Sequence, residues 1–284
     1  MARKFQNLMV TGGAGFIGVN FIRWLLEQKD CPARIVNVDK LTYAGNPLSL
    51  LDVEKRAGDR YVFVKADICD AAQMKKIIET YAIDAIAHFA AESHVDRSIV
   101  RPDEFVRTNI LGTYTLVSTD EVFFSLGDQG FFTEDTPYAP NSPYSASKAS
   151  SDHLVRAYHE TYKLPTTLSN CSNNYGPYQH VEKFIPRQIT NIIDGVRPKL
   201  YGRGENVRDW IHTEDHSSAV WDILTKGRMG ETYLIGADGE KNNITVLRMI
   251  LEAMGRDPED FDWVADRPGH DRRYAIDSTK LQRE

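Results

Sequence analysis

The sequence predicts an α/β fold: a doubly wound parallel sheet joined to a second, smaller α/β domain. Apolar strand-like runs alternate with amphipathic helical stretches through the first half of the chain, the pattern of a parallel sheet covered by helices. A glycine-rich turn joins the first strand-like run to the first helix. The second half alternates less often. We therefore place the first domain at residues 1–172 and the smaller one at 173–284, partly interleaved with the first.

The composition is ordinary for a globular chain of 284 residues, with 42% hydrophobic and 26% charged residues. A net charge of −6 argues against a nucleic-acid binder, because binding to phosphates needs a basic face. No apolar run approaches the roughly 18 residues of a membrane span, and the chain enters a strand directly, so we expect neither a membrane anchor nor a leader. Cys31, Cys69 and Cys171 lack metal-ligand spacing, which favours reduced thiols in a cytoplasmic protein and no metal site.

The stretch TGGAGFIG lies between the first strand-like run and the first helical pattern. Gly12 permits a sharp turn, Gly15 lets a pyrophosphate approach the backbone, and Gly18 lets the helix pack closely on the strand. The helix start, with Phe16 and Ile17, offers free N–H groups to phosphates. The same turn could be purely structural, but the strand–turn–helix context favours a dinucleotide site in a Rossmann-type domain.

Asp39 ends the second strand-like run, RIVNVD, about 20 residues beyond the last glycine. A carboxylate there accepts hydrogen bonds from an adenosine ribose and repels a 2′-phosphate, so we expect NAD rather than NADP, although the neighbouring Lys40 weakens this argument. His88 lies inside a strand and fits a core histidine better than a ligand. The cofactor contacts that we expect are Gly12, Gly15, Phe16, Ile17, Gly18, Asp39, Lys40, Asp67, Ile68, Ala90, Ala91, Ser93, Thr108, Tyr144 and Lys148.

The stretch NSPYSASKASSDHLVRAYHETY predicts an amphipathic helix capped by Ser142, with Pro143 in its first turn. Tyr144 and Lys148 are four residues apart and share a face of this helix. A phenol, with a pKa of about 10, is a poor base at neutral pH, and a nearby ammonium favours the phenolate. Beside a nicotinamide the pair can take a hydroxyl proton while hydride leaves the same carbon. Such pairs also occur by chance, but the upstream dinucleotide unit favours a catalytic role.

The motifs TGGAGFIG, HFAAESHVDRS, STDEV, YSASK and SNNYGPYQ resemble those of the extended short-chain dehydrogenase/reductase superfamily. Within it they most resemble the dTDP-glucose 4,6-dehydratases, from about Leu8 to the end of the chain. TGGAGFIG and YSASK mark the superfamily only, whereas STDEV discriminates between its members. The resemblance implies tightly bound NAD, dTDP-glucose as substrate, dTDP-4-keto-6-deoxyglucose as product, and a homodimer that acts in deoxysugar biosynthesis, such as that of dTDP-rhamnose.

The resemblance also gives roles to the residues of STDEV. Oxidation at C4 of the glucose makes the C5 proton acidic, and the C6 hydroxyl must be protonated as it leaves. By resemblance, Thr119 bonds the C4 oxygen, Asp120 is the acid for C6 and Glu121 is the base for C5, with Tyr144 and Lys148 acting at C4. Adjacent acids can divide this work if like-charge repulsion raises one of their pKa values. Two solvated acids in a loop are the alternative.

The smaller domain is expected to bind the nucleotide sugar. The resemblance implies that Asn173, Arg208 and Arg267 contact the diphosphate, for which the planar fork of arginine is suited, although any single arginine could be a solvated surface residue. It also implies that Tyr201 contacts the thymine and that His94 faces the sugar. The remaining substrate contacts that we expect are Ser93, Thr119, Asp120, Glu121, Lys183, Asn243 and His270.

Three features depart from the pattern of the resembled family. The helical stretch from Pro102 runs straight into STDEV and leaves no room for the strand that should carry Thr119 to the rim of the sheet. We therefore expect the natural polypeptide to hold residues near 117/118 that this sequence lacks, and further residues after Glu284. Phe124 stands where the family usually has glycine and would crowd the loop after the acids.

Two other functions stay open from the sequence. An NAD-dependent nucleotide-sugar epimerase or decarboxylase of the same fold would not need Asp120 and Glu121 together. A non-catalytic sensor of NAD or of a nucleotide sugar would not need all five reactive side chains, which are Thr119, Asp120, Glu121, Tyr144 and Lys148.

Overall fold

The computed structural model describes residues 2–116, 131–266 and 272–284. Its strands are β1 (Asn7–Thr11), β2 (Arg34–Asp39), β3 (Tyr61–Lys65), β4 (Ala85–His88), β5 (Leu168–Cys171), β6 (Asn173–Tyr175), β7 (Lys199–Tyr201), β8 (Val207–His212), β9 (Thr232–Ile235), β10 (Glu240–Asn242), β11 (Asp262–Val264) and β12 (Arg273–Tyr274). Its helices are α1 (Phe16–Leu26), α2 (Leu51–Ala57), α3 (Ala71–Thr80), α4 (Val95–Val100), α5 (Pro102–Phe105), α6 (Thr113–Thr115), α7 (Pro143–Tyr162), α8 (Phe184–Ile193), α9 (Thr213–Lys226), α10 (Asn243–Ala253) and α11 (Thr279–Arg283). None of these helices is long and apolar enough to cross a membrane.

A four-stranded parallel sheet organises the first half of the chain, with strand order β3-β2-β1-β4. Its register pairs Leu8 of β1 with Ile35 of β2 on one side and with Ala85 of β4 on the other. Strands β1 and β2 are buried along almost their whole length, as is typical of a parallel sheet that is covered on both faces. The predicted α/β class is confirmed.

Helices cover both faces of this sheet. On one face Leu8 and Val10 pack with Phe21 and Leu25 of α1 and with Trp221 of α9. On the other face the buried residues are Met9, Val36, Val38, Ala66, Ile68, Met74, Ile77 and Leu116. Successive residues of β1 therefore face opposite layers of helices, which is the doubly wound arrangement that the sequence predicts. Each fully buried large apolar side chain contributes roughly 1.5–3 kcal/mol to stability.

The described residues of the second half form three smaller sheets. Strand β8 is the centre of one, with β10 antiparallel and β6 and β12 parallel to it, while β7 pairs with β11. The third sheet joins β5 to β9 in parallel, and α9 packs on α1, so the later part of the chain returns to the earlier part. The predicted boundary at 172/173 falls between β5 and β6, and it stays a prediction.

The helical stretch predicted from Pro102 is present but is not a uniform α-helix. Helix α5 leads into a π-helical turn at Val106–Gly112 and then into α6. The helical backbone ends there, because Leu116 is extended and buries its side chain on the α3 side of the sheet. STDEV and Phe124 lie outside the described residues.

Candidate functional site

The glycine-rich turn after β1 has the close approaches that the sequence predicts. Gly12 has a φ of +68°, and a Cβ built on it would lie 2.6 Å from the backbone nitrogen of Ala90. A Cβ on Gly18 would lie 2.4 Å from the carbonyl oxygen of Gly12, so only glycine lets α1 pack this closely on the turn. Gly15 is the N-cap of α1 and provides no side-chain cap. The N–H groups of the first turn, which holds Phe16 and Ile17, are therefore available to an anion.

A cleft opens at the carboxyl ends of β1, β2 and β4. Eight residues predicted to bind a dinucleotide line it: Gly12, Gly15, Asp39, Lys40, Ile68, Ala90, Ala91 and Thr108. They come from five separate stretches of sequence. Their convergence at this rim is the arrangement in which open parallel α/β sheets bind ligands.

Asp39 is held at the edge of this cleft by backbone N–H groups. Its Oδ2 accepts a 3.0 Å hydrogen bond from Ala14, and its Oδ1 accepts one of 2.7 Å from Leu41. Burial raises the pKa of Asp39, and the two backbone N–H groups oppose that rise. Lys40 reaches across the cleft and donates a 3.2 Å hydrogen bond to Thr108 Oγ1. A carboxylate fixed in this way fits the hydroxyls of an adenosine ribose.

Tyr144 and Lys148 lie on the first two turns of α7, as predicted, and both are buried. Ser142 caps the helix by accepting a 3.1 Å hydrogen bond from the backbone N–H of Ser145. The ring of Tyr144 packs edge-to-face on Phe105, with 6.1 Å between ring centroids. The phenol and the ammonium are thus set in a protected part of the fold, where charge interactions are stronger than in water.

Asn109 connects α7 to the loop that follows β4. Its Nδ2 donates 2.8 Å to Ser147 Oγ, and its side chain also exchanges two hydrogen bonds with the backbone of Glu92, at 2.8 Å and 3.1 Å. Asn109 itself is almost fully buried. These bonds tie the helix of Tyr144 to the rim of the cleft, because Ala90, Ala91 and Glu92 all line the cleft.

Sequence reasoning missed both Asn109 and Glu92. Glu92 is 6% exposed, lines the cleft, and has its pKa raised by burial. Two signals were available: a polar Asn at the start of the otherwise apolar stretch NILG, and an acid four residues after the end of β4.

His88 is a core histidine, as its strand position predicts. It bonds Thr11 Oγ1 through Nδ1 and lies 3.4 Å from Thr113 Oγ1 through Nε2. Burial, and then the positive charge of Lys148, lower its pKa to about 3. The imidazole is therefore neutral at physiological pH.

Several predicted substrate residues meet around β8. Arg208 lies within this strand, between Lys241 of β10 and Tyr274 of β12. Asn173 begins β6 and pairs with Trp210. Asn243 begins α10, directly after β10. Tyr201 is separate from this group, because it ends β7 in the sheet with β11.

The remaining described substrate residues lie beside the loop after β4. Lys183 Nζ donates a 3.1 Å hydrogen bond to the carbonyl oxygen of Ser93. His94 Nε2 lies 3.6 Å from Glu182 Oε2. Burial lowers the pKa of His94, although Glu182 opposes that change. The segment before α8 is thus attached to the cofactor side of the fold.

Five predicted site residues lie outside the described residues: Thr119, Asp120, Glu121, Arg267 and His270. The chain re-enters the described structure just before β12, which pairs with β8 next to Arg208. Among the described residues, no group of three or more His, Cys, Asp or Glu side chains could hold a metal ion.

Comparison with known proteins gives consistent matches over nearly the whole chain. The family described as GDP-mannose 4,6 dehydratase matches residues 9–284. A dTDP-glucose 4,6-dehydratase of Mycolicibacterium smegmatis is 54% identical over 294 aligned positions, which cover 98% of this chain and 87% of that protein.

Two solved structures agree with this result. The crystal structure of DesIV, a dTDP-glucose 4,6-dehydratase from Streptomyces venezuelae with NAD and TYD bound, is 47% identical, has a TM-score of 0.93 and is matched over 98% of this chain and 90% of that chain. A dTDP-glucose 4,6-dehydratase of Bacillus anthracis in complex with NAD is 44% identical, with a TM-score of 0.89 and the same coverage. The three relatives described here are dTDP-glucose 4,6-dehydratases. The chain therefore belongs to the GDP-mannose 4,6 dehydratase family of the extended short-chain dehydrogenases/reductases.

Proposed function

We propose that this protein is a hydro-lyase that uses NAD to dehydrate dTDP-glucose to dTDP-4-keto-6-deoxyglucose. The observation that carries the proposal is the burial of Tyr144 and Lys148 on a helix that Asn109 ties to the dinucleotide cleft. Relatives 54% and 47% identical, over 98% of the chain, bear the name of this activity.

The residues present fit NAD. The glycine turn leaves room for a pyrophosphate that a Cβ would fill, and the carboxylate of Asp39 lines the cleft where a ribose would lie. When bound, NAD supplies hydride acceptance from C4 of the hexose and hydride return to C6. The chain's own part at this stage is to take the proton of the C4 hydroxyl. We assign that proton to Tyr144, assisted by the charge of Lys148.

The elimination of water needs one further base and one further acid. We assign removal of the C5 proton to Glu121 and protonation of the departing C6 hydroxyl to Asp120, with Thr119 bonding the C4 oxygen. These three roles rest on the family resemblance of STDEV, because the motif lies outside the described residues. The same resemblance assigns the diphosphate to Asn173, Arg208 and Arg267 and the thymine to Tyr201. It also places the sugar near Ser93, His94 and Lys183.

The experiment that tests this function is incubation with dTDP-glucose without added cofactor, followed by mass spectrometry. A dehydratase gives a product lighter by one water, whereas an epimerase gives an isomer of unchanged mass. Glu121→Gln separates the steps further: we expect the product to be lost while NADH still forms. Formation of the C4 epimer alone would contradict the proposal.

We also propose a homodimer built on α7 and the stretch from α5 to α6. This face exposes apolar side chains that a monomer would leave in water: Val106, Leu111, Tyr114 and Tyr162. Sedimentation velocity tests it. Leu111→Arg should give monomers, while Met249→Arg, at an equally exposed position on α10, should leave the dimer intact.

Two finer properties complete the proposal. We retain a division into residues 1–172, which hold the NAD site, and 173–284, which hold most of the substrate site.

The second property is a cytoplasmic location. Cys31, Cys69 and Cys171 all lie within the described part of the chain and form no disulfide, which fits a reducing compartment.

A further inference from the structure

Tyr43 and Arg97 form a cation–π stack between two segments that are far apart in sequence. The guanidinium carbon of Arg97, on α4, lies 3.4 Å from the centroid of the Tyr43 ring. Tyr43 belongs to the loop after β2, whose ends are fixed by hydrogen bonds from Leu41 to Asp39 and from Asn46 to the carbonyl oxygen of Ala14. The middle of this loop, at Tyr43, is therefore held by its contact with Arg97 of α4.

A third segment, between β6 and α8, joins the same contact. The ring of His180 meets the Tyr43 ring edge-on, with centroids 5.8 Å apart. Glu182 Oε2 lies 3.5 Å from Arg97 Nη2, and Glu182 is itself largely buried. Arg97 thus has the tyrosine ring as one partner and a carboxylate as the other. Tyr43 and Glu182 are partly withdrawn from water, which strengthens the contact, whereas 47% of the Arg97 side chain is exposed.

The stack lies beside the dinucleotide cleft, because residues next to Tyr43 and residues just before α4 line that cleft. Thr42 and Gly45, on either side of Tyr43, line the cleft, and so do Ala91 and Glu92 of the loop after β4. Helix α4 begins three residues after Glu92. The contact between Tyr43 and Arg97 of α4 therefore joins the two segments that contribute these lining residues.

We propose that Tyr43 and Arg97 are positioning residues that close the cofactor cleft and keep NAD bound between turnovers. The inference rests on the proposed use of NAD and deepens it. A reaction in which the hydride is taken and returned within one turnover gains from a cofactor that does not leave, and the stack restrains the loop under which NAD would bind.

The test measures the rate at which NAD leaves the holoenzyme, with released NAD trapped by an excess of a second dehydrogenase. Tyr43→Ala and Arg97→Ala should each speed release by about three- to thirtyfold, the range that cation–π contacts support. The double variant should speed release by less than the product of the two single effects, because both single variants lose the contact that the two side chains share. Tyr43→Phe keeps the ring and should stay within about twofold of the parent protein.

Arg101→Ala is the matched control, because Arg101 directly follows α4 and pairs only with the surface acids Asp103 and Glu104 among the described residues. It should leave release unchanged, which separates loss of the stack from loss of a positive charge. If Tyr43→Ala and Arg97→Ala are both folded by circular dichroism and release NAD at the rate of the parent protein, the inference is wrong. The proposed function would not be affected by that result. A parent protein that neither contains nor binds NAD would overturn the proposed function, and the inference with it.

Discussion

Ser147 Oγ accepts a 2.8 Å hydrogen bond from Asn109 Nδ2 and donates one of 2.7 Å to the backbone carbonyl of Tyr144. One hydroxyl thus joins the residue that holds the cofactor loop to the turn that carries the proposed base. The relationship explains how two elements that are distant in sequence keep a fixed spacing at the site. It also makes Ser147 a sensitive position for both stability and activity.

Replacing Ser147 by Ala should lower the free energy of unfolding by about 1–3 kcal/mol, because a buried amide hydrogen of Asn109 then loses its acceptor. The turnover rate should fall by about tenfold or more, since small displacements of a catalytic group are costly. Ser150→Ala, one turn further along α7, removes only a bond to the backbone of the same helix and should change stability by less than about 0.5 kcal/mol. Urea unfolding and steady-state kinetics measure both effects, and equal effects of the two variants would contradict this account.

Replacing Tyr144 by Phe should reduce turnover by about 100- to 10,000-fold, the range expected for loss of a general base. The fold should survive, because the ring can keep its contact with Phe105. Tyr162→Phe on the same helix keeps the ring that the proposed dimer interface would cover and should be silent. Retained activity in Tyr144→Phe, measured as product formed per enzyme, would remove the phenol from the chemistry.

The buried neutral His88 predicts a loss of stability in mild acid. Its pKa is about 3 in the folded protein, against about 6.5 in an unfolded chain, so only the unfolded state takes up this proton between those values. Stability should therefore fall as pH falls through that window, by about 2 kcal/mol between pH 7 and pH 5 from this group. Urea unfolding at pH 7 and pH 5 should show that the free energy of unfolding falls less in His88→Gln than in the parent protein. The exposed His153→Gln should match the parent, and identical pH dependence in all three proteins would contradict the assignment.

The sequence predicted the first βαβ unit well, because that unit depends on local signals. Eight of the residues expected to bind the cofactor line one cleft, and their binding of NAD stays a prediction. Gly12, Gly15 and Gly18 lie between a strand and a helix, where glycines at this spacing indicate a tight turn. The position of Asp39, about 20 residues after the last glycine, indicates a carboxylate at the end of the second strand. The fold class, NAD use and dehydratase function agree with the relatives that the chain matches.

Other features could not be read from local patterns. The side chain of Asn109 reaches Glu92 and Ser147 across the fold, 17 and 38 residues away in sequence. The pairing of β5 with β9 likewise joins segments that only tertiary structure brings together. Long-range contacts of this kind depend on the packing of whole elements, and no spacing in the sequence encodes them directly.

The junction near 117/118 gives a separate prediction. Among the described strands, β4 pairs only with β1 and β5 only with β9, so no described strand links the two sheets. The alignment with the M. smegmatis relative has 294 positions, more than the 284 residues of this chain, and this supports the prediction of additional internal residues. The intact mass of the natural polypeptide should therefore exceed 32.2 kDa. A mass of 32.2 kDa would contradict it.

The most direct test of the central claim follows one hydrogen through the reaction. dTDP-glucose carrying deuterium at C4 is incubated with the protein and no added cofactor, and the product is analysed by NMR and mass spectrometry. We expect a product that has lost water and carries the deuterium on its C6 methyl group, because the hydride taken at C4 returns within the same site. Recovery of the label at C4 of an epimer, or its loss to solvent without dehydration, would contradict the assignment of this chain as an NAD-dependent dehydratase.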